Sequence, residues 1–292
     1  MISLTEKKLS IKSSFLALVF LFAITQSCRK TSTHYVETNK YPSGELLSEI
    51  PFLEKDSLKD GTYKEYHKNG NLKKIILFKK GVPVDSAMQY FNSGQIEFKE
   101  IRNLDTIHTY HYFKTGEIAL HKKFLNRKNP LEIGWSKYFD KNGSISDSIE
   151  HIDLKSISYL NQHIRYDSQN KLVSDSSNFF RFSLNSIQNS DLFSLKVAYV
   201  PKYKNADVFM VLGDNLNDDF SNVDTVELDT IFMQNNEISS QLFEKDSRVF
   251  KGFFYEYLIE ELEEVSTDSI KLNINEKKTF FNMKLAAKKK SE

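Results

Sequence analysis

Gly61-Thr62-Tyr63-Lys64-Glu65-Tyr66-His67-Lys68-Asn69-Gly70-Asn71-Leu72 is the stretch on which the fold turns. It reads as an aromatic strand, a tight turn and the start of a second strand. Asn69-Gly70 is a strong short-range hairpin signal, because Gly can adopt the positive φ that such turns need. Leu72 then places its side chain on the same face as the tyrosine. The stretch has copies along the chain. The turn residue recurs at Gly44, Gly94, Gly116 and Gly143, and in a decayed sixth copy at Asn170. Successive turns are 26, 24, 22, 27 and 27 residues apart. An aliphatic residue stands two places after each: Leu46, Leu72, Ile96, Ile118, Ile145 and Leu172. Phe52, Phe78 and Phe124 stand eight places after it in three copies. A single hairpin is marginal in water. Hairpins stacked side by side share one aromatic face and are held by neighbour contacts. The pattern predicts a repeat array over 40–177.

The aromatic residues of the array, Tyr66, Tyr90, Tyr112 and Tyr138, carry two readings. They pack between strands, or they form an exposed stripe for glycan or peptide contact; packing is the preferred one. The variable residues before each glycine lie at turn tips, where function more often resides.

Gly61–Leu72, with Gly134-Trp135-Ser136-Lys137-Tyr138 repeating its opening, resembles the consensus of the MORN-repeat variant. The resemblance covers roughly half the chain, and it implies a string of β-hairpins forming one elongated sheet. It implies no catalytic residue. Some bacterial members are labelled antitoxins, which keeps an antitoxin-like role among the alternatives.

Composition bounds the rest. The chain has 292 residues, with 40 basic and 39 acidic side chains, so no electrostatic footprint for nucleic acid is present. One cysteine forbids an internal disulfide framework and a cysteine-rich metal site. Phe (23) and Tyr (14) are abundant and favour strands.

That cysteine has a place of its own. Lys7, Lys8 and Lys12 precede an apolar run from Phe15 to Ile24. This is the layout of a secretory signal over 1–27, and the run is too short to span a bilayer. Thr25-Gln26-Ser27-Cys28 resembles a bacterial lipobox, with Ser27 and Cys28 carrying the match. It implies acylation of Cys28 and a membrane anchor without a spanning segment. Arg29 follows where inner-membrane retention signals usually have Asp, which favours the outer membrane. Residues 28–39 read as a polar tether.

Beyond residue 177 the tyrosine–glycine repeat ends. Residues 39–177 hold 21 basic and 18 acidic side chains; residues 178–292 hold 14 and 19. Alternation of strand type replaces the repeat: Phe180-Phe182-Leu184, Leu195-Val197-Tyr199, Val208-Met210-Leu212, Val226-Leu228, Phe253-Tyr255-Tyr257-Ile259, Ile270-Leu272-Ile274 and Phe281-Met283-Leu285. Seven or so short strands predict a β-sandwich over 178–287, with an immunoglobulin-like topology as one candidate. The fold class expected for the whole chain is all-β. Residues 253–264 also fit a helical face, and strand is preferred. Residues 288–292 form a basic tail.

The search for chemistry returns little. Asp214, Asp218 and Asp219 invite a calcium reading, but their spacing fails the EF-hand template, and a solvated loop is preferred. His108 and His111 are an odd number apart and would face opposite sides of a strand, which makes them poor joint ligands for zinc. Glu260, Glu261, Glu263 and Glu264 read as a solvated acidic run. No phosphate-cradling loop, nucleophile elbow or metalloprotease motif occurs. The expectation is a non-catalytic, lipid-anchored envelope protein with no cofactor, no metal site and no nucleic-acid partner. It meets the membrane through Cys28 and a protein partner through its surfaces. A glycan- or peptide-binding lipoprotein is the alternative.

Overall fold

The computed structural model describes residues 34–54, 58–186, 192–244, 249–266 and 269–284. Cys28, the signal over 1–27 and the tail over 288–292 lie outside the described residues.

The first half is one antiparallel sheet laid down in chain order. Its hairpins are β1 (His34–Lys40) with β2 (Leu46–Leu53), β3 (Gly61–Tyr66) with β4 (Leu72–Lys79), β5 (Val82–Tyr90) with β6 (Ile96–Arg102), and β7 (Thr106–Tyr112) with β8 (Ile118–Leu125). After the two-residue β9 (Leu131–Glu132), which pairs with β8, come β10 (Gly134–Phe139), β11 (Ile145–Leu154) and β12 (Ile157–Arg165). The repeat thus gives the hairpin sheet that its spacing predicts.

One turn geometry makes all six copies. The Gly70 N–H donates to the His67 carbonyl at 2.9 Å, and the His67 N–H donates to the Asn71 carbonyl at 2.8 Å. The same two bonds recur at Tyr41/Gly44, Phe91/Gly94, Phe113/Gly116, Asp140/Gly143 and Asp167/Asn170. Gly70 has φ +85°, and Asn170 holds the same left-handed region at +59°. Asn69 is not left-handed, so Asn-Gly here is not a two-residue primed turn. It is the end of a longer loop whose last residue forms a bulge, and the register shifts beside it. The glycine therefore sets the alignment of the copies. Four places before it stand Lys40, Tyr66, Tyr90, Tyr112, Phe139 and Tyr166, each paired across the strands with the aliphatic residue two places after it. Tyr41 and Tyr138 fall outside that column.

One expectation is corrected at the start. His34 to Asn39, read within the tether, belong to strand β1, which pairs with β2 along its length. It is an edge strand with mostly exposed polar side chains, so it lacks the apolar alternation by which a buried strand is recognised.

The second half is a two-layer sandwich. β13 (Phe179–Ser186), β14 (Leu192–Val200) and β17 (Glu237–Glu244) form one sheet in that order. β15 (Asp207–Leu212), β16 (Asp229–Phe232), β18 (Val249–Ser266) and β19 (Ser269–Lys284) form the other, in the order β16-β15-β18-β19. Lettered A to G, these are sheets A-B-E and D-C-F-G. This is an immunoglobulin-like arrangement with its fourth strand beside the C strand. Residues 253–264, ambiguous in sequence, lie wholly within β18. Val226–Leu228 is not a strand; β16 begins just after it. β17 went unseen because serines interrupt its apolar residues.

The four-stranded sheet is covered on both faces. Inward, Val208, Met210, Phe254 and Phe281 meet Leu195, Val197, Tyr199 and Ile238 of the other sheet. Outward, Val211, Phe253 and Phe280 meet Leu216, Phe220 and Val223. This double burial explains why its strands read as unbroken apolar runs. In the loop over 213–222, Asp214, Asp218 and Asp219 face outward, while Leu216 and Phe220 are 4% and 3% exposed and plug the sheet. Ile152, Leu154 and Tyr159 of the last repeat hairpin pack on the same cluster. The two halves meet here, at the β11–β12 end of the repeat sheet.

Candidate functional site

The junction is built by the side chains of β12. Asn161, 1% exposed, treats the edge of β19 as a strand partner. Its Oδ1 accepts from the Phe280 N–H at 2.6 Å, and its Nδ2 donates to the Phe280 carbonyl at 2.8 Å. Gln162 does half of this for the edge of β13, accepting from the Phe180 N–H at 3.1 Å. The Tyr159 hydroxyl donates to the Lys278 carbonyl at 2.6 Å. One strand thus bridges the free edges of both sandwich sheets. A buried amide left without partners costs about 1–3 kcal/mol, so these bonds fix the halves in one register.

Past Phe180 and Phe280 the two edges are no longer bridged. A groove of about 550 Å³ opens there, walled by Phe180, Phe182, Phe281 and Met283, with Glu150, Asp153 and Asp218 at its polar side. Glu150 Oε2 accepts from Asn161 Nδ2 at 2.7 Å and from Gln162 Nε2 at 2.6 Å. Asp218 is held by Lys251 at 2.6 Å and Asp153 by Arg127 at 3.7 Å. Lys251 holding Asp218 speaks for a structural role of the acidic loop, and among the described residues no group of three or more metal-ligating side chains is assembled.

Behind the junction lies a polar cluster centred on a buried carboxylate. Glu256 is wholly buried and accepts the Lys202 N–H on both carboxylate oxygens, at 3.0 and 2.9 Å. Burial pushes its carboxyl up to about 7, against the opposing pull of the Lys202 N–H. Burial likewise draws the Lys277 ammonium down to about 8; it donates to the Leu160 carbonyl at 2.6 Å and lies 4.5 Å from the Tyr159 ring centre. Asn178, Tyr199 and Thr279 close a ring of hydrogen bonds at 2.9, 2.9 and 3.2 Å. Asn178 donates to Tyr199 and Thr279 to Asn178, and the Tyr199 hydroxyl also bonds the Glu256 carboxylate. Burial raises the Tyr199 phenol far above its ordinary value. Asn178, Tyr199, Glu256 and Thr279 are all buried and tie the two sheets together, while Lys277 stays partly exposed. Sequence reading missed Glu256. Its one signal was a carboxylate two places after Phe254, on the inward side of an apolar strand.

The repeat sheet holds its own clusters. His108 Nδ1 and His121 Nε2 are 3.1 Å apart, and His121 stacks on Tyr110. Desolvation, then His108, lowers the His121 imidazole. His111 lies against Phe98 and not with this pair. Elsewhere Glu132 accepts from fully buried Ser136 at 2.6 Å and from Lys122 at 3.0 Å, with His151 at 3.3 Å. The serine hydroxyl is committed to the carboxylate, and His151 Nδ1 makes no hydrogen bond, so the two do not form a nucleophile–base pair. Along the turn edge, Tyr41 Oη donates to the Tyr66 carbonyl at 2.8 Å, and His67 Nε2 stands 2.9 Å from the Tyr90 carbonyl. Lys68 lies over the Tyr41 ring and Lys114 over the Phe91 ring. The first four turns are thereby tied each to the next. Tyr66, Tyr90, Tyr112 and Tyr138 are all half-buried.

Compared with models of known protein families and with curated proteins, the chain matches none.

Proposed function

We propose that this chain is a non-catalytic, lipid-anchored protein of the bacterial cell envelope, serving as an interaction scaffold. Acylated Cys28 would hold it at the outer membrane, and MORN-variant-like hairpins would supply an extended surface. One observation carries the reading. Among the described residues, strands β1–β8 pack essentially on their neighbours within the sheet, and the sandwich meets the sheet at its far end. A single layer that no other described element covers has little enclosed volume for chemistry and a large area for contact. The half-buried tyrosines support the alternative of glycan or peptide binding on the same surface.

Two experiments test it. Cells expressing the chain with labelled palmitate should lose the label, and the membrane-bound fraction, on Cys28→Ala; retained label refutes the anchor. Photo-crosslinking residues placed at Asn92 and Lys114 should capture a discrete envelope partner in intact cells. A chain that fractionates with the cytoplasm would favour the antitoxin-like reading instead.

A further inference from the structure

We infer that the groove between the last repeat hairpin and the open edge of the sandwich binds a basic side chain, lysine or arginine, presented by an extended segment of a partner protein. This deepens the scaffold reading and rests on it.

The groove is unevenly furnished. Asp153 and Asp218 already have cations, Arg127 and Lys251. Among the described residues no cationic side chain pairs with Glu150, although it lines the same groove. Its carboxylate is nonetheless fixed. Oε2 takes two amide donors from Asn161 and Gln162, which are 1% and 5% exposed and are locked in turn by the backbones of Phe280 and Phe180. A carboxylate held by two buried amides is a preorganised acceptor that lacks its counter-charge.

The wall opposite selects the shape of the cation. Phe180 and Phe182 have ring centres 4.9 Å apart, and Phe182 lies 5.2 Å from Phe281. Such a surface takes an apolar stem along the rings and a cationic head beyond it, as lysine and arginine provide. An anionic ligand would meet the Glu150 carboxylate, and the cations beside Asp153 and Asp218 are already engaged. A neutral one would leave Glu150 unpaired.

The backbone around the groove selects an extended segment. Among the described residues β13 pairs only with β14, and β19 only with β18, so both strands stand at sheet edges there. β12 occupies those edges at Phe180 and Phe280 and leaves them beyond. An added strand can bond to such an edge while its alternate side chains enter the groove.

The test uses the purified chain with 13C-methyl methionine, titrated with a capped nonapeptide, Gly-Ser-Val-Thr-Lys-Val-Thr-Ser-Gly, and with its norleucine counterpart at the lysine. The Met283 methyl signal should move, while that of Met88, in the repeat sheet, stays. The norleucine peptide should bind about tenfold more weakly, as expected for loss of one charge-assisted bond. Glu150→Gln should weaken the lysine peptide by about the same factor and leave the norleucine peptide unchanged. Should Glu150→Gln unfold the junction, the lysine–norleucine difference and its decline with added salt in the unmodified chain still decide. Equal binding of the two peptides, a shift at Met88 in place of Met283, or no shift up to millimolar peptide would overturn the proposal. If the titration fails while envelope crosslinks from Asn92 and Lys114 persist, the groove alone falls. If both fail, the scaffold reading falls with it.

Discussion

In the repeat sheet the largest fully buried side chain among the described residues is Ile107; in the sandwich Phe254, Leu195, Met210, Val208 and even Glu256 are sealed from solvent. Both halves are antiparallel and rich in aromatics, yet they are held by different physics. The sheet relies on cross-strand pairs of about 0.2–1 kcal/mol each and on turn-to-turn bonds repeated along its length. The sandwich relies on apolar burial between two layers. The lesson is that an aromatic side chain is worth different amounts in the two halves, and that the same holds for a glycine.

Truncation should separate the halves most widely. Phe254→Ala should cost about 3–5 kcal/mol in the sandwich, the usual range for a core phenyl group. Tyr90→Ala, in a half-buried pair with Ile96, should cost about 1 kcal/mol. Denaturant unfolding, with the single tryptophan Trp135 reporting the repeat sheet, reads both; equal costs would erase the distinction.

Glycine substitutions come next. A Cβ on Gly252 would lie 2.0 Å from the Val211 carbonyl oxygen and 2.7 Å from the Phe281 ring. Gly252→Ala should therefore destabilise by about 1–3 kcal/mol or more through overpacking, and Gly252→Asn should be worse. Gly94 has open space around it and φ +92°. Gly94→Ala should cost about 1 kcal/mol for conformation alone, and Gly94→Asn should recover part of that. Thermal melts of the four variants would show whether space or φ governs each site.

Glu256 and Lys277 give the sandwich a pH signature of its own. Glu256 titrates near 7 in the folded chain against 4.5 ordinarily, so the folded state binds that proton more tightly. Its contribution is full below about pH 4.5 and is lost as pH rises towards 7. Lys277 titrates near 8 against 10.5, so its burial penalty is relieved as pH rises from about 8 to 10.5. The combined contribution is lowest between pH 7 and 8. Glu256→Gln should flatten the decline between pH 4.5 and 7, and an unchanged stability profile would contradict the buried-charge account. The smallest effect belongs to the decayed turn: Asn170→Gly should change stability by only a few tenths of a kcal/mol, because Asn already tolerates the left-handed region.

The turns were the most legible part of the sequence, because only Gly, or Asn at 170, answers the backbone there. The tyrosine column was less so: Tyr41 and Tyr138 match by eye but sit one place out of register, since the bulge follows the glycine. β1 was hidden by its polar edge position. Val226–Leu228 imitated a strand, because a loop that plugs a sheet also alternates inward and outward residues. The junction was almost illegible. Asn161, Gln162, Glu150 and Phe280 lie up to 130 residues apart in the chain, and only the docking of β12 brings them together. His108 and His121 meet diagonally across two strands, which no spacing rule shows without the register.

The central claim is that a neighbour-held single sheet is buttressed at one end by a core-held sandwich. Hydrogen exchange of the purified chain, read segment by segment, tests it most directly. Protection should be lowest at β1 and β2, rise along the sheet towards β10–β12, and be uniformly high in β14, β15 and the sandwich-packed part of β18. Equal protection from β1 through β12, matching that of the sandwich, would contradict it.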